Sequence, residues 1–404
     1  MSKEQSISVQ EFDFNTFTKS QVIKSAVQTA FELNMPLAIW RLPHSNEIHF
    51  ITSSQPALKP EKVELAELNK GFIFSKFSKE PNNNYFIAAD YHLSFDYNEV
   101  VETKSKGENT IAFQAHLKEK MEAQHEHTSY FTSDYAESES VEYTSLVSRA
   151  IEAIKSGHFE KVVPARSKDV ALSENFDVLE LFLRLTDTYD NAFISFVSIP
   201  EVGSWMGATP EVLIEQEKST FRTVSLAGTK RFDEATPISE TAWNQKEIEE
   251  QAMVSRFIIN CFKKIRLREF TEKGPKTAKA GNLLHLKTVF EVNMDETNFA
   301  ELPTVMLDLL HPTSAVAGMP KEPAIDFINK HEGLDRGFYS GFLGPVGMDN
   351  STHVFVNLRC MQLFKDHVRL YAGAGVTEDS DPEKEYLETE MKCNTLLNKI
   401  IHRV

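Results

Sequence analysis

Along this chain the apolar residues change period several times, and each change marks an element. Residues 21–33 repeat at helical spacing, while apolar runs at 37–42 and 85–89 read as strands. Residues 102–140 are charged and poor in large apolar groups after Phe113. Within them, 116–127 has a period near 3.6 and reads as either a helix or a connector. From residue 142 the pattern sharpens. Residues 143–156 form an amphipathic helix stopped by Gly157. Residues 161–166 form a strand that carries Pro164, hence an edge or an irregular segment. A helix at 178–185 is followed by strands at 193–199, 204–207, 212–215 and 223–226. A long helix runs from 241 to about 266, then a strand at 283–290 and a helix at 322–330. A meander of strands follows at 341–347, 354–361 and 368–372. The last helix opens at Pro382, capped either by Ser380 in a capping box with Glu383 or by Asp381. Hairpin-like strands interleaved with long helices predict an α+β fold rather than a doubly wound parallel sheet. No internal repeat and no glycine-rich phosphate loop is present.

Composition narrows the field. A chain of 404 residues predicts one large unit or two intimately built lobes. Its formal charge of −16 argues against nucleic acid or an anionic membrane as partner. An anionic substrate would then need positive charge gathered locally, in a few Lys or Arg or in a metal ion. Three cysteines, Cys261, Cys360 and Cys393, lie far apart with no ligand spacing, which fits a reducing compartment. The N-terminus lacks the apolar stretch of a signal peptide and no run approaches 18 apolar residues, so the expected location is the cytoplasm. Residues 1–140 carry no concentrated chemistry and are taken as the N-terminal part of the unit. Residues 141–404 are taken as the catalytic region.

Several polar residues stand in apolar, strand-like settings. Lys161 opens a Val-Val strand. A partly buried lysine gives up its charge readily and can act as a base; the alternative is an edge-strand charge. Glu211 lies between GATP and Val212-Leu213-Ile214. A carboxyl pressed against apolar groups can act as an acid; the alternative is an ordinary turn glutamate. Leu226-Ala227-Gly228-Thr229 can cradle an anion or simply turn. Glu247, Glu249 and Glu250 begin a long helix, where acidic residues also favour the dipole. His285 in an apolar strand is more often a core residue than a catalytic one. Arg359, within an apolar strand, needs an anionic partner and suits a substrate carboxylate. Near the C-terminus, Gly373-Ala374-Gly375 allows close approach to the backbone, and Glu385, Glu388 and Lys392 share one helix face. This inventory suits a small dicarboxylate bound with a divalent cation.

Taken together, KVVPAR, GATPEVL, SLAGT, KEIEEQ, HLKT, LLHPTSAVAGMPKE, HEGLDRGFYSGFLG, NLRC, YAGAGV and DPEKEYLETEMK occur in the order seen in chorismate-utilising enzymes. The chain resembles that family from residue 142 to 401. The family includes isochorismate, salicylate, anthranilate and aminodeoxychorismate synthases. The resemblance implies two sheet-and-helix lobes forming one unit around a magnesium-dependent site, with chorismate as substrate. It implies Glu250 and Glu388 as Mg²⁺ ligands, with Glu247 and Glu385 supporting. It implies Arg359 and the Gly373 amide on a substrate carboxylate with Lys392 close by, and Gly228 and His285 on the ring side. Gln251 departs from the histidine that usually follows the metal glutamate. The HPTSAVAG segment looks like a wall of the pocket. Aminodeoxychorismate synthases carry a lysine where this chain has Ala227, and anthranilate synthases typically a glutamine where it has Lys161. The combination here implies water as nucleophile, activated by Lys161, with Glu211 as acid and isochorismate as product. No ammonia-delivering subunit is then expected, and a monomer or homodimer suffices. Salicylate synthase, which goes on to eliminate pyruvate, and a non-catalytic chorismate-binding protein are the alternatives. The sequence does not separate menaquinone from siderophore biosynthesis.

Overall fold

The computed structural model describes residues 14–96, 99–104, 108–123, 127–133, 141–232, 237–280 and 283–400. Two antiparallel sheets lie face to face, with helices on both outer surfaces. In spatial order, the nine-stranded sheet contains Val100–Lys104, Tyr91–Phe95, Ile48–Thr52, Leu37–Arg41, Phe193–Ile199, Gly203–Thr209, Cys360–Leu363, His367–Gly373 and Ala165–Ala171. The eight-stranded sheet contains Thr271–Ala280, Leu283–Asn293, Thr220–Arg231, Val212–Glu217, Ser351–Val356, Phe342–Val346, Gly71–Ser75 and Asn84–Ala88. The expected α+β class is therefore the observed one.

Period-two alternation builds the layers. In Leu37–Arg41, Leu37 and Ile39 join the outer helices, while Ala38 and Trp40 face the other sheet. The layer between the sheets is aromatic. Phe193 of one sheet stacks on Phe355 of the other with ring centroids 4.1 Å apart. Trimming either ring to alanine costs about 3–5 kcal/mol. Helices Tyr143–Lys155, Gln245–Lys264, Leu302–Leu310 and Lys321–His331 share a core with the eight-stranded sheet. Lys19–Glu32, Glu108–Met121, Val178–Thr188 and Pro382–Ile400 share one with the nine-stranded sheet.

Several local expectations change in the structure. The first half of the stretch left open at 116–127 is the end of the helix Glu108–Met121, and residues 124–126 lie outside the described set. The strand expected at 161–166 breaks in two at Val163-Pro164: Lys161–Val162 pairs with Gly318–Met319, and Ala165–Ala171 is the edge of the nine-stranded sheet. Proline, having no N–H, interrupts the ladder there. The strand expected at 354–361 also breaks. Residues 357–359 leave it, and Arg359 sits with φ of +47° in the left-handed region rather than on a strand. The physical reason is a change of sheet: Ser351–Val356 belongs to the eight-stranded sheet and Cys360–Leu363 to the nine-stranded one. The helix expected to start at 241 starts at Gln245, after a short 3-10 turn at Ile238–Glu240. Of the two caps open for the last helix, Asp381 is the one used. Its Oδ1 accepts from the Glu383 and Lys384 amides at 3.1 and 3.0 Å, while Ser380 Oγ accepts from Thr377.

Candidate active site

Two of the places where the chain crosses between the sheets are neighbours. One is Pro210-Glu211, between Gly203–Thr209 and Val212–Glu217; the other is Asn357–Arg359. The crossings hold each other. Ala208 N–H donates to Arg359 O at 3.0 Å, Val356 N–H donates to Glu211 O at 3.0 Å, and Thr209 Oγ1 donates to Val356 O at 2.7 Å. Two chemically active side chains, Glu211 and Arg359, are thereby fixed on backbone that leaves a sheet, where side chains are free to face a cavity. Both line a cleft whose empty space, including the part open to solvent, is about 740 Å³.

Lys161 reaches the same cavity and is buried. Its Nζ lies 4.0 Å from Glu250 Oε1. Gly375 makes room for both: a Cβ there would sit 2.9 Å from Glu250 Oε1 and 2.9 Å from Lys161 Cε. Glu211 is buried too. Desolvation raises its carboxyl to about 7, against the opposing pull of Lys392, Lys161 and Arg359. A carboxylic acid that still holds its proton near neutral pH can donate it.

Ala227 and Gly228 line the cleft at a β-bulge, where the register against Leu283–Asn293 shifts between Ala227 and Lys230. Gly228 has φ of +68°, and its carbonyl accepts from His285 Nδ1 at 2.6 Å. A carbonyl can only accept, so the proton is on Nδ1 and the Nε2 lone pair faces Arg359 Nη2 at 3.5 Å. Burial, helped by Arg359, lowers His285 to about 3, so the imidazole is neutral. Arg359 also donates to Thr395 Oγ1 at 3.1 Å. Among the described residues it forms no ion pair with a carboxylate, although it is buried. Glu388 acts on it only through space, and a buried guanidinium so placed can bind an anion.

The acidic residues come from two helices, one on each outer layer. Glu250 lies on Gln245–Lys264 and Glu388 on Pro382–Ile400, and both line the cleft. Burial alone would raise the Glu388 carboxyl, but Lys392, 2.9 Å away, holds it below the ordinary value. Lys392 Nζ also donates to Gly373 O at 2.7 Å. Among the described residues no three His, Cys, Asp or Glu side chains gather closely enough to hold a metal on their own. Magnesium needs no such cage. It commonly takes one or two carboxylates and completes its octahedron with water and substrate oxygens. Two carboxylates from facing helices, with no soft ligand beside them, fit that requirement.

The structure thus brings together Lys161, Glu211, Gly228, Arg359, Gly373, Lys392, Glu250 and Glu388. The other three stand outside the lining. His285 is behind Gly228 and Arg359. Glu247 caps its helix, its Oε2 accepting from Asn244 N–H at 2.8 Å. Glu385, almost fully buried, is bound by Lys246 at 2.6 Å. Reading residues one at a time missed the aromatic wall of Tyr339 and Tyr371, whose rings stack 5.4 Å apart. Tyr371 ends an apolar strand just before the glycine turn, which was the available signal. Ala315 and Val316 of HPTSAVAG line the cleft, while His311 turns away and packs its ring edge-on against Phe342.

Fold and site define a class: the chain belongs to the chorismate binding enzymes, whose family model matches residues 77–401. Isochorismate synthase EntC of Escherichia coli K12 is 28% identical over 265 residues, 64% of this chain and 67% of that protein. Anthranilate synthase component 1 of Streptomyces coelicolor is 30% identical over 274 residues, 64% of this chain and 51% of that one. In three dimensions the chain is similar to MenF, the menaquinone-specific isochorismate synthase of E. coli. The TM-score is 0.75 and the identity 19%, over 96% of this chain and 93% of that one.

Proposed function

We propose that this protein is an isochorismate synthase, converting chorismate to its 2-hydroxy isomer. The observation that carries the reading is that Lys161, Glu211 and Ala227 line one cleft, so a base and an acid are present and no lysine stands at 227. Every residue lining that cleft lies beyond position 141, which supports placing the catalytic region at 141–404.

Lys161 takes a proton from water, whose oxygen adds to ring carbon 2. The ring double bonds shift, and the bond from carbon 4 to its hydroxyl breaks. Glu211 gives its proton to that departing hydroxyl, which leaves as water. One water enters and one leaves, so substrate and product are isomers and the reaction runs in both directions. Base and acid each contribute typically ~10²–10⁴-fold. Arg359 holds a substrate carboxylate through its fork, and neutral His285 fixes the guanidinium without adding a competing charge. Glu250 and Glu388 would hold Mg²⁺, which when bound neutralises a substrate carboxylate and orients the ring. Lys392 stays close to Glu388 and Gly373, limiting repulsion between the acidic helix and an anionic ligand.

The test is purified protein with chorismate and Mg²⁺, followed by product chromatography. A peak of isochorismate is expected without added ammonia. Salicylate with free pyruvate, or anthranilate appearing only with ammonia, overturns the reading within the family. No turnover with retained chorismate binding favours a binding protein.

A further inference from the structure

Lys161 stands on a strand of two residues whose partner, Gly318–Met319, is equally short. Such a ladder fixes little, so the position of the lysine depends on what grips the chain beside it. Val163 N–H donates to Ala317 O at 2.9 Å, and Val162 exchanges hydrogen bonds with Val376 at 3.1 and 2.8 Å. Glu160 N–H donates to Met319 O at 2.7 Å, and Pro164 O accepts from Tyr143 Oη at 3.2 Å and Ala374 N–H at 3.3 Å. A further grip, on both sides of Pro164, is a buried ion pair. Arg336 Nη2 donates to Val163 O at 2.7 Å and Nη1 to Val316 O at 3.0 Å. Glu332 Oε2 accepts from Ala165 N–H at 2.8 Å. The pair itself is bidentate, with Nε to Oε1 and Nη2 to Oε2 both at 2.6 Å. Its side chains are 3% and 2% exposed and neither lines the cleft, whereas Val163 and Val316 both do.

We infer that Arg336, held by Glu332, is a positioning residue that sets where Lys161 stands relative to the facing wall. The inference rests on Lys161 being the base. A displacement near 1 Å in such a group lowers turnover by roughly 100-fold. A purely structural ion pair behaves differently: replacing both partners by neutral groups of similar shape restores stability, and with it function.

The experiment compares the wild type with Arg336→Lys and with the double variant Glu332→Gln, Arg336→Met. The double variant leaves no uncompensated buried charge and keeps an acceptor for Ala165. Expected are a folded double variant with a melting temperature lowered by the donors that Val163 O and Val316 O lose, a KM for chorismate within about 2-fold, and a kcat lower by roughly 10–100-fold in both variants. Wild-type kcat in the folded double variant overturns the inference, as does a loss confined to KM. A second readout does not need turnover. The ε-group NMR resonance of Lys161, assigned by its loss in Lys161→Ala, is expected to move in both variants. If the wild type does not convert chorismate, the functional reading fails, and the resonance alone decides: shifted supports positioning, unshifted refutes it.

Discussion

Glu211 makes the sharpest prediction, because its burial opposes stability in the same protonation step that its chemistry needs. The buried carboxyl is raised from an ordinary 4.5 to about 7. At about 1.36 kcal/mol per pH unit, ionising it in the fold costs about 3 kcal/mol more than in the unfolded chain. The sign follows from proton counting. Below pH 4.5 both states hold the proton and stability is at its fullest. Between 4.5 and about 7 the unfolded chain releases the proton while the folded one keeps it, so stability falls. Above about 7 both are ionised and the whole cost is present. Glu211→Gln removes this titration. Urea unfolding of both proteins from pH 5 to 8.5 should show the variant gaining on the wild type, reaching about 3 kcal/mol at the alkaline end. The same variant should lose roughly 10²–10⁴-fold in turnover, and wild-type kcat/KM should fall as pH rises through 7. A stability difference that does not change with pH, or an active Glu211→Gln, would refute the reasoning.

The remaining predictions concern binding and the base. Glu250→Gln and Glu388→Gln should each weaken Mg²⁺ binding by calorimetry and remove most turnover; full activity in EDTA sinks the cation. Arg359→Lys keeps the charge but loses the fork, so chorismate binding should weaken by about 1.5–3 kcal/mol, and an unchanged affinity would make Arg359 structural. Lys161→Ala should abolish isochorismate formation while chorismate still binds, a loss in kcat more than in KM. Near wild-type output from that variant would reduce the lysine to an edge-strand charge.

What was legible in the sequence follows a physical division. Strands with strong local pattern were readable: Phe193–Ile199 lies where expected because all seven residues are buried and apolar runs of that length have few other uses. The order of the strands was not readable. Leu37–Arg41 sits beside Phe193–Ile199, about 150 residues away along the chain, and no local period encodes that pairing. No concentrated chemistry was legible before residue 105, and the described residues there supply six strands shared between both sheets. Of the site, Lys161, Glu211 and Arg359 stood out because each interrupts an apolar stretch, whereas Glu250, Glu388 and Lys392 stood out through the family resemblance. Their grouping did not, since Glu211 and Arg359 become neighbours only where two strands change sheets. Arg336 illustrates the limit: in the sequence it is one charge in HEGLDRG, and its carbonyl partners at Val163 and Val316 become visible only in three dimensions.

The charges of the cleft answer how a protein of formal charge −16 can receive a dianion. Glu388 is paired with Lys392, so that carboxylate and that ammonium group compensate one another before anything binds. Glu211 adds little repulsion below pH 7, because burial keeps much of it protonated. Arg359 differs. Its polar contacts are a hydroxyl, at Thr395, and a neutral imidazole, at His285, neither of which offsets a full positive charge. Burial makes that guanidinium costly, the Glu388 carboxylate offsets part of the cost through space, and an anion in the cleft can offset more. The backbone at Arg359 is in the left-handed region and its carbonyl accepts from Ala208 N–H, while the guanidinium itself is held by Thr395 and His285.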